Sequence, residues 1–205
     1  MAKTVTKSSG KAEAGARERL LDAASELFYA EGVHTVGIDR IIEKAGVAKA
    51  SLYNTFGSKD ELVRAYLAQR HERQRARIDA ALEGATGPRD KILAIFRAQE
   101  QVFALPTFRG CAFANATAES QPGSVAYDVS EQYRGWLLDL LRGFATEAGA
   151  PDPDLLARQL MQLYDGANLS ARMDSYQGAS AACRSTVEAL LDASLPRRPA
   201  KRRTS

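Results

Sequence analysis

The sequence predicts an all-α fold of about nine helices, a small three-helix unit at the N-terminal end followed by a larger helical body. Two observations carry this. Apolar residues recur at helical three- and four-residue intervals, with almost no strand-like alternation. The intervals break at Gly32, Gly46, Gly84 to Gly87, Pro106, Pro122-Gly123 and Gly149, residues that punctuate helices.

The first helix is predicted over residues 16–31, with Leu20, Ala24, Leu27 and Phe28 on one face. Gly32 stops it, because glycine tolerates a left-handed backbone. Ile38, Ile41, Ile42 and Ala45 form the stripe of a short second helix, and after Gly46 a third covers residues 49–56. The fourth starts at Ser58 and runs to about residue 83. Its Ser58 and Glu61 have the spacing of a capping box, in which the hydroxyl accepts from the N3 amide and the carboxylate reaches back. Pro88 opens a fifth helix with Ile92, Ile95, Phe96, Gln99 and Phe103 on one side. A sixth is predicted over 107–120, and a seventh carries Val129, Tyr133, Trp136, Leu137, Leu140 and Phe144. Asp152 caps an eighth, with Pro153 at its first position and Leu156, Leu160, Leu163, Tyr164, Ala167 and Ala171 along it. A ninth spans 179–195. Residues 1–14 and 196–205 read as disordered basic tails.

Composition narrows the class. A chain of 205 residues buries a core without metal or disulfide staples, and 45% hydrophobic with 26% charged residues is the balance of a soluble globular protein. No apolar run approaches the ~18–20 residues of a membrane span. Lys3, Lys7 and Lys11 are not followed by the apolar stretch of a secretory signal, so a cytoplasmic location is expected. Cys111 and Cys183 are too few for a disulfide framework and are expected as reduced thiols. Charge is uneven: residues 1–77 hold 14 Lys/Arg against 10 Asp/Glu, residues 78–195 hold 9 against 15, and the last ten residues add five cations. A basic front on an acidic body suits a molecule that meets an anionic polymer at one end.

Residues 35–62 identify that polymer. Two short helices joined by Ala45-Gly46-Val47 make a helix-turn-helix, the glycine permitting the sharp turn and Ile41, Ile42, Val47 and Leu52 fixing the angle. The outer face of the third helix is then Lys49, Ala50, Ser51, Tyr53, Asn54 and Thr55, small, polar or basic residues that suit the major groove of DNA. Lys49 can reach a guanine edge or a phosphate and Asn54 an adenine edge. Ser51 and Thr55 allow close approach, and Tyr53 offers a hydroxyl to a phosphate oxygen. Lys59, with the amides around Ser58 to Asp60, makes an anion site at a helix N-terminus. Arg70, Arg73, Arg75 and Arg77 begin about 18 Å along the fourth helix and read as a solvated basic face.

Residues 17–66 resemble the TetR family of bacterial regulators. The run Ile41-Ile42-Glu43-Lys44-Ala45-Gly46-Val47-Ala48-Lys49-Ala50-Ser51-Leu52-Tyr53-Asn54-Thr55-Phe56-Gly57-Ser58-Lys59-Asp60-Glu61-Leu62 carries Ala-Gly-Val, Leu-Tyr, Phe, Ser-Lys and an acidic pair before Leu at the family's spacings. The resemblance implies an all-α homodimer, with a DNA-binding domain at 15–60 and a ligand-binding and dimerisation domain at 61–195. It implies DNA contacts by Lys49, Ala50, Ser51, Tyr53, Asn54 and Lys59, with Gly37 and Arg40 beside the duplex. Four positions depart from the family pattern. Ala48 stands where many members have Ser, so the third helix lacks a side-chain cap. Ala50 replaces a common Gly and suits a thymine methyl. Gly37 replaces a Thr or Ser cap, a modest loss. Asp39 sits where a basic or polar contact is frequent, and its carboxylate repels phosphate.

Arg109-Gly110-Cys111-Ala112-Phe113-Ala114-Asn115-Ala116 with Glu119 is similar to the sixth helix of one TetR subgroup. Aromatic and polar residues mix through the C-terminal half as an effector pocket requires. The candidate contacts are Phe103, Cys111, Asn115, Trp136, Tyr164, Asn168 and Arg172, of which Tyr164, Asn168 and Arg172 form one i, i+4, i+8 stripe. The last two helices are expected to form the homodimer, with small residues such as Gly166, Ala167, Ala171 and Ala182 permitting close approach. Two recognition helices would then sit one DNA turn (~34 Å) or a multiple apart on a palindromic operator. The expected function is a repressor released by a small apolar or aromatic effector, with no cofactor, metal or membrane partner. An enzyme is the rival class. His34 and His71 lie in the DNA-binding half without a metal-ligating cysteine pattern, and turnover through Cys111 would be its signature. A non-specific architectural binder is the other rival, marked by equal affinity for all duplexes at matched salt.

Overall fold

The computed structural model describes residues 6–174 and 176–196, with side chains from Gly15 onward and without that of Tyr176. Among the described residues there are nine helices and no strand: α1 (Thr6–Glu31), α2 (Ile38–Ala45), α3 (Lys49–Phe56), α4 (Lys59–Leu82), α5 (Pro88–Phe103), α6 (Ala112–Ala118), α7 (Val125–Glu147), α8 (Pro153–Met173) and α9 (Tyr176–Ser194). The all-α expectation therefore holds. Two bounds differ. Helix α1 begins ten residues before the predicted residue 16, and Lys11, Ala12, Glu13 and Ala14 are strong helix formers that extend it. Helix α6 is shorter than predicted, because Pro106 and Gly110 keep residues 104–111 in turns. The predicted tails lie partly outside the described residues, at 1–5 and 197–205.

By packing, the chain forms two compact units, residues 1–73 with 112–133, and residues 74–111 with 134–205. In the first, α1 packs on both α2 and α3. Leu20, Val36, Ile41, Leu52, Leu62 and Leu67 are fully buried there. The rings of Phe28 and Tyr66 meet at 5.6 Å, and Phe113 stacks on Tyr133 at 3.9 Å with the His71 ring edge-on to both. In the second, α8, α9 and α5 pack on one another around Ile92, Ile95, Leu137, Leu156, Leu160 and Leu191.

Helix ends follow the local sequence. Gly46 ends α2 at φ +61°, with Val47 N–H donating to the Ile42 carbonyl and Gly46 N–H to the Glu43 carbonyl, both at 3.2 Å. This paired pattern satisfies two carbonyls that the helix leaves open. Ser58 Oγ accepts from Glu61 N–H at 3.1 Å, the forward half of the predicted capping box, while the Glu61 carboxylate pairs with Arg64. Asp152 Oδ1 accepts from Leu155 N–H at 2.9 Å and caps α8 as predicted. Asp152→Ala is expected to cost about 1 kcal/mol, read as a fall of about 2–4 °C in the melting midpoint. An unchanged midpoint would show that the cap contributes nothing.

Candidate nucleic-acid interface

The site begins with the joint between α2 and α3. Ile41 and Leu52, both fully buried, face α1 and fix the two short helices against it. Helix α1 adds two polar clamps that sequence periodicity does not reveal. Arg19 Nε donates to the Ala45 carbonyl at 3.2 Å, covering the C-terminal end of α2, and the Arg17 guanidinium lies 5.5 Å from the Phe56 ring centre at the end of α3. Neither short helix has a side-chain N-cap: Gly37 and Ala48, both extended, precede α2 and α3 without a capping hydrogen bond.

This leaves one face of α3 open. Lys49, Ala50, Tyr53 and Asn54 are exposed, Tyr53 at 44%, and Ser51 and Thr55 are half-buried beside them. An eight-residue helix is 12 Å long at ~1.5 Å per residue, with a body that fits a major groove ≈ 12 Å wide. Gly37 and Arg40, also exposed, stand at the N-terminal end of α2. Lys59 opens α4 and donates from Nζ to the His34 carbonyl at 3.4 Å. Burial holds its pKa below the ordinary lysine value, with Asp60 and Glu119 acting the other way.

The cations of this face are already engaged. Arg40 forms a two-pronged pair with Glu31 at 2.6 and 2.8 Å, Lys44 meets Glu26 at 2.8 Å and Lys49 meets Asp39 at 2.9 Å. The Asp39 hydrogen bond raises the Lys49 pKa, and the Glu31 hydrogen bond raises that of Arg40 while Arg40 lowers that of Glu31. Arg40 and Lys49 therefore stay charged at neutral pH.

The α1–α2 loop meets the end of α6. His34 N–H donates to Glu119 Oε2 at 3.1 Å, and His34 Nε2 lies 3.2 Å from Ser120 Oγ. Gly32 has φ +99°, a backbone conformation that favours glycine, and a Cβ there would sit 2.5 Å from Glu119 Oε1 and displace that carboxylate. The α4 arginines are not the uniform solvated face that spacing suggests. Arg73 and Arg75 are exposed, but Arg70 is half-buried with its guanidinium 3.9 Å from the Tyr29 ring centre, and Arg77 donates to Gln74 at 2.6 Å. Tyr29, on α1, gives Arg70 a cation–π partner that a reading of α4 alone cannot see.

Of the candidate effector contacts, Asn115 lies half-buried on α6 in the first unit; the other six lie in the second. There Tyr164 is a buried node. Gln74 Nε2 donates to its hydroxyl at 2.8 Å, the buried Gln99 donates to its carbonyl at 2.7 Å, and Phe96 meets its ring at 5.9 Å. Asn168 donates to the same carbonyl at 3.1 Å, and Arg172 to the Arg109 carbonyl at 2.6 Å. Phe103 is buried against Phe108 at 5.1 Å, Trp136 is half-buried with Arg75 5.9 Å from its ring centre, and Cys111 is half-buried. Gln74 and Gln99 were not among the candidates; a glutamine within the apolar stripe of α5 was the available signal. Burial pushes the Cys183 thiol up to about 11, so it stays protonated at neutral pH. A cavity of about 720 Å³ lies elsewhere in this unit, among Gly87, Pro88, Leu93, Leu191, Leu195 and Pro196, and none of the seven candidates lines it.

Comparison with known proteins meets this geometry. Residues 20–66 match the family model for bacterial regulatory proteins of the tetR family. The crystal structure of SCO4454, a TetR-family transcriptional regulator from Streptomyces coelicolor, is 36% identical with a TM-score of 0.85, over 88% of this chain and 96% of that one. The TetR family regulator CifR, solved as a cysteine mutant complexed with 26-bp double-strand operator DNA, is 25% identical with a TM-score of 0.72, over 83% of this chain and 94% of that one. The HTH-type transcriptional regulator LmrA of Bacillus subtilis is 31% identical over 128 residues, 58% of this chain and 66% of LmrA. The HTH-type transcriptional activator FasR of Mycolicibacterium smegmatis is 39% identical over 82 residues, 40% of this chain and 37% of FasR. The matches thus span less than two thirds of these two curated relatives. Likeness to SCO4454 runs nearly the whole length of both chains and includes the α2–α3 joint, and on that ground the protein belongs to the TetR family of DNA-binding transcriptional regulators.

Proposed function

We propose that the protein is a homodimeric repressor that grips a palindromic operator with α3 and leaves it when a small apolar or aromatic effector binds the helical body at 61–195. The observation that carries the DNA reading is the open face of Lys49, Ala50, Tyr53 and Asn54 behind a rigid turn. Lys49 and Asn54 read base edges and Ala50 a thymine methyl. Ser51 and Thr55 permit close approach, and Gly37, Arg40, Tyr53 and Lys59 position the phosphate strand. The CifR complex, an operator held by a similar fold, supports this assignment.

The effector reading is supported by the Tyr164 node, where a buried hydroxyl, two glutamines and an aromatic wall supply the few polar handles a mostly apolar pocket needs. Phe103, Cys111, Trp136, Asn168 and Arg172, which lie in the same unit, are assigned to the same role. Dimerisation through α8 and α9 is supported by Leu169 and Met173, one helical turn apart on α8 and 59% and 72% exposed, an apolar pair that a partner chain would cover. The name of FasR favours a second reading, activation.

The test is selection of bound duplexes from a random pool, followed by transcription from a reporter carrying the winning sequence. The expected result is an inverted repeat, occupied by a dimer, at which the protein lowers transcription. Raised transcription would support activation, and a pool that never converges would remove sequence-specific binding.

A further inference from the structure

Every lysine and arginine on α2 and α3 is held by a carboxylate of this same chain: Arg40 by Glu31, Lys44 by Glu26 and Lys49 by Asp39. The third pair differs from the others. Glu31 and Glu26 belong to α1, whereas Asp39 lies in the first turn of α2 and Lys49 is the first residue of α3, so this pair spans the two helices of the DNA-binding joint. Its side chains are 81% and 56% exposed, so neither group is fixed by packing.

We infer that Asp39 is an internal substitute for a DNA phosphate, a brake on overall DNA affinity that makes every duplex compete for the Lys49 ammonium. The inference rests on the DNA-binding reading above. On arbitrary DNA, Lys49 exchanges one anionic oxygen for another and gains little. The displaced carboxylate is left beside the strand, where like charges repel. On the operator, the ammonium reaches acceptors on a base edge, and that contact is made only where the correct base stands. Asp39 therefore lowers affinity for all DNA, and only a base contact strong enough to draw Lys49 away offsets the loss. An exposed ion pair contributes little to stability, so the carboxylate can be lost without disturbing the fold.

Counterion release makes the effect measurable. While Lys49 stays with Asp39 it neutralises no phosphate, whereas a lysine freed from its carboxylate neutralises one and displaces the counterion condensed there. Asp39→Asn is expected to tighten binding to a mixed-sequence duplex about five- to tenfold, and to steepen the dependence of log K on log salt by about 0.9. Binding to the duplex selected by the wild-type protein should tighten at least as much, because Lys49 leaves Asp39 there too.

The experiment is fluorescence anisotropy of the full-length protein on both duplexes across a salt series, with Asp39→Asn and Asp39→Ser measured in the wild-type and Lys49→Gln backgrounds. The proposal predicts that both substitutions act alike and that their effect is smaller without Lys49, where only direct repulsion of the strand remains. Three results overturn it: unchanged mixed-sequence affinity and slope, a loss confined to the selected duplex (which would make Asp39 a reader of cytosine), or an effect as large with Lys49→Gln as without it. Wild-type protein that binds neither duplex removes the DNA-binding reading and this proposal together. Wild-type binding with indifferent Asp39 variants removes this proposal alone.

Discussion

Lys49→Ala combined with Tyr53→Ala is expected to abolish operator binding and leave a folded dimer. Both side chains are exposed on α3, and neither fills the core. The Lys49–Asp39 pair is a surface pair, worth about 0–1 kcal/mol to the fold. In the groove each contact is worth about 1–3 kcal/mol. A dimer loses two from each protomer, which takes binding down by about a thousandfold or more. Anisotropy on the selected operator measures the loss, while sedimentation and circular dichroism verify assembly and helicity. A double variant that binds normally would show that α3 does not read DNA through this face.

Leu52→Ala, one residue before Tyr53, is expected to do the reverse. Leu52 is fully buried, inside the joint of α1, α2 and α3. Truncating it removes apolar burial and leaves a cavity, a loss of about 2–5 kcal/mol. At about 2–4 °C per kcal/mol for a chain of this size, the melting midpoint should fall by roughly 4–20 °C. Well below that midpoint, operator affinity should be largely retained, since the open face is untouched. A midpoint within about 1 °C of wild type would mean that the joint collapses around the missing side chain. Together the two variants separate what holds α3 from what α3 presents.

The stripes that predict α1, α2, α5, α7 and α8 are legible because each helix buries one face. The start of α4 and the cap of α8 are legible because Ser58 and Asp152 act on amides three residues away. The α6 bounds were not, since Leu105, Phe108 and Phe113 give an apolar spacing that turns and helices share. The open face of α3 follows from the Ala45-Gly46-Val47 turn and the position of Leu52. The occupation of its cations does not. Arg40 meets Glu31, and Lys49 meets Asp39, across helix boundaries, and an angle between helices is a property of packing rather than of spacing. Arg70 teaches the same lesson, since Tyr29, its stacking partner, comes from α1.

The missing N-caps of α2 and α3 have a consequence for how the molecule opens. Helices of eight residues do not persist alone in water, and Gly37 and Ala48 give these two no side-chain help at their start. Their regularity comes from outside, from Leu52 and Ile41 against α1, and from Arg19 and Arg17 at their far ends. The recognition surface therefore depends on α1 for its order. Hydrogen exchange of the native protein is expected to show the amides of α2 and α3 opening together, as one unit that loosens when its contacts with α1 are lost.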